Sequence, residues 1–200
     1  MNERYKNTSI EDFVEGLGSA APTPGGGAAA ALASALGASL VMMVANLTVG
    51  KPKYAEFEEL NKDILGEVRI LKDSLLDGMD RDSEAFAKVM AAYSMPEGRD
   101  RTEALFTSSV EATEAPLAVM EDSLAALRLA ATMKGRSNRS LESDLISAMH
   151  LLRAGIVSES SNVTANLPVI EKKDGAMASG LRDRASFIIS ETKELTSDII

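Results

Sequence analysis

Between Glu15 and Lys51 the chain carries no charged residue, and no other feature restricts the fold as much. The stretch opens with "APTPGGG", Ala21 to Gly27. Pro22 and Pro24 hold the backbone extended and remove two amide donors, while Gly25, Gly26 and Gly27 admit dihedrals closed to other residues. A turn there delivers the chain into a helix predicted from about Gly27 to Val49. That helix is long enough to span a bilayer. Its composition argues otherwise: Ala, Ser, Gly, Asn and Thr dominate, the residues that favour insertion are a minority, and the flanks lack aromatic anchors. A helix that is small and uncharged on every face fits the centre of a soluble bundle, approached closely on all sides, in part by a second subunit.

The glycines match neither the dinucleotide fingerprint nor the P-loop, and no hydrophobic strand precedes them. A glycine-rich turn at a helix start still exposes free backbone amides that can hold a ligand oxygen or an anion. By physics alone, a binding turn and a tight turn with no ligand stand equal.

The rest of the chain reads as helix, in one domain over residues 1–200. The fold class is all-α: a bundle of long antiparallel helices around the small-residue central helix. Thr8 and Glu11 have the spacing of a capping box, which predicts a short helix from Ser9 to about Gly16. Further helices are predicted from Tyr54 to Ala92, from Arg101 to Met133 with a bend near Pro116, from Leu141 to Ser158, and from Met177 to Asp198. "SSNVTANLPVIEKKDG" reads as a connection between the last two. A net charge of −9 argues against nucleic acid as a partner. With no cysteine and a single histidine, disulfides, zinc-thiolate sites and His-rich metal clusters are excluded. A cytoplasmic protein is expected, and the polar, mixed-charge N-terminus is unlike a secretory signal.

Six segments occur in a telling order: "PTPGGG" (Pro22–Gly27), "MVANLTVGKPKY" (Met43–Tyr54), "DSEAFAKVMAAYSMP" (Asp82–Pro96), "APL" (Ala115–Leu117), "SNRSLESD" (Ser137–Asp144) and "SNVTANLPVI" (Ser161–Ile170). Together they resemble the cyclodeaminase/cyclohydrolase family, which comprises the C-terminal domain of formiminotransferase-cyclodeaminase and the stand-alone methenyltetrahydrofolate cyclohydrolases. The resemblance implies an all-helical protein that forms at least a homodimer, with a folate site near the subunit interface. It implies one of two reactions. A cyclodeaminase closes 5-formiminotetrahydrofolate to 5,10-methenyltetrahydrofolate and releases ammonia; a cyclohydrolase opens the methenyl ring with water to give 10-formyltetrahydrofolate. The first is the expected activity, as an ammonia-lyase. A folate-binding protein without turnover is the reading from another class. The substrate is a tetrahydrofolate derivative, with a polyglutamate tail as an extension; no bound cofactor and no metal are expected.

The resemblance also nominates residues. Asp144, in the Ser-Asp motif, is the candidate general acid or base. Burial would raise its pKa and a helix N-terminus would lower it, and a plain helix cap competes with catalysis. Gly25, Gly26 and Gly27 would bind substrate through their amides. Asn138, Asn162 and Asn166 fall on asparagine positions of the family and suit either a pterin ring or loop capping. Asn162 and Asn166 share a face if their segment is helical. Asn46 needs a partner within an uncharged helix, a ligand or a neighbouring helix. Lys51 and Tyr54 match "G-[KR]-x-x-[FY]"; Lys51 suits a glutamate tail or simply the negative helix end. Lys53, Lys134, Arg136 and Arg139 would add positive charge. Asp82 and Phe86 match D-x-x-A-F, with a solvated face as the competing account of Asp82. His150 matches no position of the family and is expected to be packed or at an interface. Ala28, Ser137 and Leu145–Ser147 depart from the family's usual Ser, Gly and Gly-Val.

Overall fold

The computed structural model describes residues 4–199; the first three residues of the polar N-terminus lie outside them. Six α-helices and no strand are present among the described residues: α1 (Ile10–Leu17), α2 (Gly26–Asn46), α3 (Glu58–Tyr93), α4 (Arg99–Thr132), α5 (Glu142–Glu171) and α6 (Gly175–Leu195). Short 3-10 turns at Pro52–Phe57 and Arg139–Leu141 lead into α3 and α5.

Helix α2 is the element around which the bundle forms. It lies against α3, α4 and α5, and Ala28, Ala31, Ala38, Val41, Val44 and Ala45 are fully buried. Small side chains allow near contact of backbones. At Gly155 on α5 an added Cβ would fall 1.9 Å from Ser34 Oγ and 2.9 Å from Ala30 O. Leu117, Met120 and Leu127 of α4 and Met149, Leu152 and Ile156 of α5 fill the remaining core. α2 is the one helix among the described residues long and apolar enough to cross a bilayer. Three helices of its own chain cover most of it.

Several boundaries differ from the sequence reading for identifiable reasons. The first helix is capped by Ser9, whose hydroxyl accepts from Asp12 N–H at 3.0 Å, and not by Thr8. The Thr8 hydroxyl donates instead to Tyr5 O. α2 stops at Asn46, three residues early, because Gly50 adopts φ +75° and Pro52 opens a 3-10 turn. α4 runs from Arg99 to Thr132 without interruption through Pro116. The largest correction concerns α5, which continues to Glu171 through the stretch read as a connection, with Pro168 inside it. Val163, Leu167 and Ile170 are buried there at helical spacing, and their burial outweighs the turn-forming tendency of Ser, Asn and Thr.

Candidate active site

The nominated residues divide between the two ends of α2. A helix of 21 residues separates those ends by about 31 Å. Gly25, Gly26, Gly27, Asp82, Asn162 and Asn166 gather at its N-terminus; Asn46, Lys51, Tyr54, Asn138 and Asp144 lie toward its C-terminus.

At the N-terminal end, Gly25 caps α2 in an extended conformation and offers no side chain to the free amides. Asp82 of α3 supplies the missing acceptor, taking the Ala28 N–H on its carboxylate. The approach is so close that a Cβ on Gly27 would lie 2.1 Å from Asp82 Oδ1. Opposite stands Glu159 of α5, only 1% exposed, whose Oε2 accepts from Asn162 Nδ2 at 2.8 Å. Burial pushes the Glu159 carboxyl up to about 8; the nearby Asp82 adds to the rise, and the Asn162 amide opposes it. Burial also raises Asp82, against the pull of the Ala28 N–H. At neutral pH Glu159 therefore holds a proton while its neighbour is the readier of the two to ionise.

Beyond this point α2 has ended, and α3 and α5 continue. Phe86 and Tyr93 stand one and three turns along α3 from Asp82, 39% and 48% exposed. On α5, Asn162 and Asn166 follow Glu159 along the line that begins at Gly155. α3 and α5 thus bring the two carboxyls together beside the glycine turn. Asn166 has a structural duty there. Pro116 cannot donate to Ala112 O, its acceptor in an ideal helix, and Asn166 Nδ2 donates to that carbonyl at 2.9 Å and to Asn162 O at 3.1 Å. Replacing Asn166 by Ala leaves the Ala112 carbonyl unpaired and is expected to cost about 1–3 kcal/mol in urea unfolding. A loss below about 0.5 kcal/mol would mean the bond contributes nothing.

At the other end, Asn46 is exposed. Asn138 Nδ2 donates to Leu47 O at 3.3 Å, and Asn138 N–H to Thr48 Oγ1 at 2.9 Å. Tyr54 is buried, and its hydroxyl accepts the Arg139 N–H at 3.0 Å. These bonds pin the loop before α5 onto the end of α2. Lys51 is exposed. Asp144 is half-buried in the first turn of α5, and the cap position is held by Leu141, so Asp144 is not the N-cap. A cavity of about 480 Å³ opens beside it, lined by Lys134, Asn138, Arg139, Leu145, Met149 and Asp198 among others, but not by Asp144. Lys134 in this loop pairs with Asp198 at 2.6 Å. His150 is exposed on α5 and is not packed within the chain. No group of three or more His, Cys, Asp or Glu that could hold a metal is found among the described residues.

The family model for formiminotransferase-cyclodeaminase matches residues 9–186. The chain belongs to this cyclodeaminase/cyclohydrolase family. A methenyltetrahydrofolate cyclohydrolase of Methylorubrum extorquens is 39% identical over 94% of the chain and 88% of its own length. The formimidoyltransferase-cyclodeaminase of Dictyostelium discoideum is 30% identical over 100% of the chain, which spans 37% of that longer protein. The crystal structure of a formiminotetrahydrofolate cyclodeaminase from Thermotoga maritima superposes with a TM-score of 0.80 at 26% identity, covering 97% of this chain and 98% of that one.

Within this family member, Glu159 is the residue that reading the sequence missed. A signal was present. The buried positions of α5 run Leu145, Ala148, Met149, Leu152, Gly155, Ile156, Glu159, Val163, Leu167 and Ile170, an apolar stripe interrupted by one charge. A lone acid on such a stripe marks either a partnered buried group or a functional one. Taking the segment after Ser158 as a connection hid the periodicity.

Proposed function

We propose that the protein is a one-carbon folate enzyme that hydrolyses 5,10-methenyltetrahydrofolate to 10-formyltetrahydrofolate. The observation that carries this reading is the pair of unequal carboxyls, Asp82 and Glu159, at the amide-rich start of α2. Water attack on the methenyl carbon needs a base for the water proton and an acid for the nitrogen released when the C–N bond opens. Asp82 takes the proton as the new C–O bond forms. Glu159, still protonated at neutral pH, delivers one to the departing folate nitrogen and takes back the hydroxyl proton as the formyl carbonyl forms. The part-exposed rings of Phe86 and Tyr93 suit the flat pterin. The chain needs no resident metal or cofactor for these steps.

Support for hydrolysis over deamination comes from the 39% identity to a cyclohydrolase of similar length. The cyclodeaminase, favoured by the sequence reading, is the second reading, and the close superposition with the Thermotoga enzyme speaks for it. The same two carboxyls serve either reaction: in the cyclodeaminase, N10 attacks the formimino carbon and Glu159 protonates the leaving ammonia. Asp144 remains the competing proton carrier, at the far end of α2. We place the activity on the cytoplasmic folate pool, with Lys51 and Lys53 meeting glutamate-tail carboxylates.

The test follows absorbance of the methenyl chromophore with wild type, Asp82→Asn and Asp144→Asn. Loss of 5,10-methenyltetrahydrofolate faster than in buffer is expected, with at least a 100-fold drop in Asp82→Asn and a smaller drop in Asp144→Asn. Appearance of the chromophore from 5-formiminotetrahydrofolate, with ammonia, would assign the cyclodeaminase. Tight binding of either folate without turnover would leave a folate-binding protein.

A further inference from the structure

A carboxylic acid has two unequal oxygens, and what a buried one can do depends on which of them holds the proton. Asn162 follows Glu159 by three residues on the same face of α5. Its Nδ2 donates to Glu159 Oε2 at 2.8 Å, and it is the carboxyl's one hydrogen-bond partner among the described residues. An oxygen that accepts from an amide is the carbonyl oxygen of the acid, so the proton is left to Oε1. That oxygen is not sealed in. The buried side-chain atoms without a partner are Asn61 Oδ1, Arg81 Nε and Ser83 Oγ among the described residues, and Glu159 Oε1 is not one of them. The 1% of Glu159 that stays exposed therefore includes Oε1. Asn162 is itself held: Asn166 Nδ2 donates to Asn162 O at 3.1 Å and to Ala112 O at 2.9 Å, tying this turn of α5 to α4 where Pro116 leaves a carbonyl free.

We propose that Asn162 is a positioning residue: by occupying Oε2 it confines the Glu159 proton to Oε1, the oxygen from which a substrate nitrogen can take it. This role differs from the substrate contact for which the sequence nominated Asn162. An amide suits the task. A lysine or arginine in its place would favour the ionised acid, and a hydroxyl could accept as readily as donate, leaving the proton free to sit on either oxygen. The charges on the neighbouring helices do not compete for the assignment. Asp82 of α3 is the charged group beside Glu159, and α2 carries none. Glu111 and Glu114 of α4 pair with Lys88 and Arg184, and Arg182 of α6 pairs with Glu171. The place of the proton stands on the bond geometry; its part in turnover rests on the folate reading above.

Infrared difference spectra taken across pH 8, on protein carrying isotope-labelled glutamate, display the carbonyl stretch of the Glu159 acid as the band missing from Glu159→Gln. A hydrogen bond to the carbonyl oxygen lowers that stretch. Asn162→Leu removes the donor and is expected to move the band to higher wavenumber. Asn162→Asp keeps the shape of the side chain, cannot donate when ionised and draws the proton onto Oε2, so it should move the band as well; it decides the matter should the leucine variant fail to fold. Turnover supplies the other arm. Both variants are expected to lose about tenfold or more in kcat, with KM for 5,10-methenyltetrahydrofolate within about threefold of wild type, because the proton is misplaced while the substrate still binds. A band that stays in place in the folded variants overturns the assignment of the two oxygens. A raised KM with kcat unchanged returns Asn162 to substrate contact and overturns the positioning role. If wild type turns over neither folate, the functional reading fails, and the band alone still decides whether Asn162 holds Oε2.

Discussion

A Glu159→Gln variant is expected to lose turnover by at least 100-fold while becoming more stable than wild type above neutral pH. The folded protein holds the Glu159 carboxyl at about 8 against an ordinary value of 4.5. Below pH 4.5 both folded and unfolded chains are protonated there, and the group brings no penalty. Between 4.5 and 8 the unfolded chain releases the proton and the folded chain retains it, so stability falls as pH rises. At about 1.4 kcal/mol per pH unit, the loss approaches on the order of 5 kcal/mol by pH 8. Glutamine has no proton to release and escapes this slope. Urea unfolding of both proteins at pH 5, 7 and 8.5 checks it. The curves should converge at the lowest pH and separate with rising pH; parallel behaviour, or full turnover in the variant, would show that Glu159 is only a packed side chain. Stability surrendered at one buried acid is what a functional group looks like in energetic terms.

Gly155→Ala should be the most damaging single methyl group in the bundle. Its Cβ would fall 1.9 Å from Ser34 Oγ, 3.2 Å from Ser34 Cβ and 2.9 Å from Ala30 O. Ser34 is itself held by Ser123, whose hydroxyl lies 2.8 Å away, so the hydroxyl cannot swing aside freely. α2 and α5 must separate, at a cost of about 3 kcal/mol. Gly66→Ala provides the contrast. It lies on exposed α3 surface with nothing within 4 Å of an added Cβ, and should gain up to about 1 kcal/mol from helix propensity. Thermal melts of the two variants should move in opposite directions; equal shifts would sink the close-packing account of α2 and α5.

Local pattern alone carried the helical class, the central place of α2 and the glycine turn at its start, because an uncharged run of small residues can be buried only by close helix neighbours. The family resemblance, not local pattern, marked Asp82 and the asparagines. It did not show that Asn166 serves the carbonyl freed by Pro116, since those residues are 50 positions apart and only folding brings α4 and α5 together. Nor did it tell which nominated residues share a site. Lys51 and Gly27 both flank the same helix, yet the rigid rise of α2 sets them at opposite ends. The proton held by Glu159 was out of reach for the same reason: a carboxyl's pKa depends on the water excluded around it and the charge beside it, and both were decided by how α3 and α5 each pack against α2 and α4.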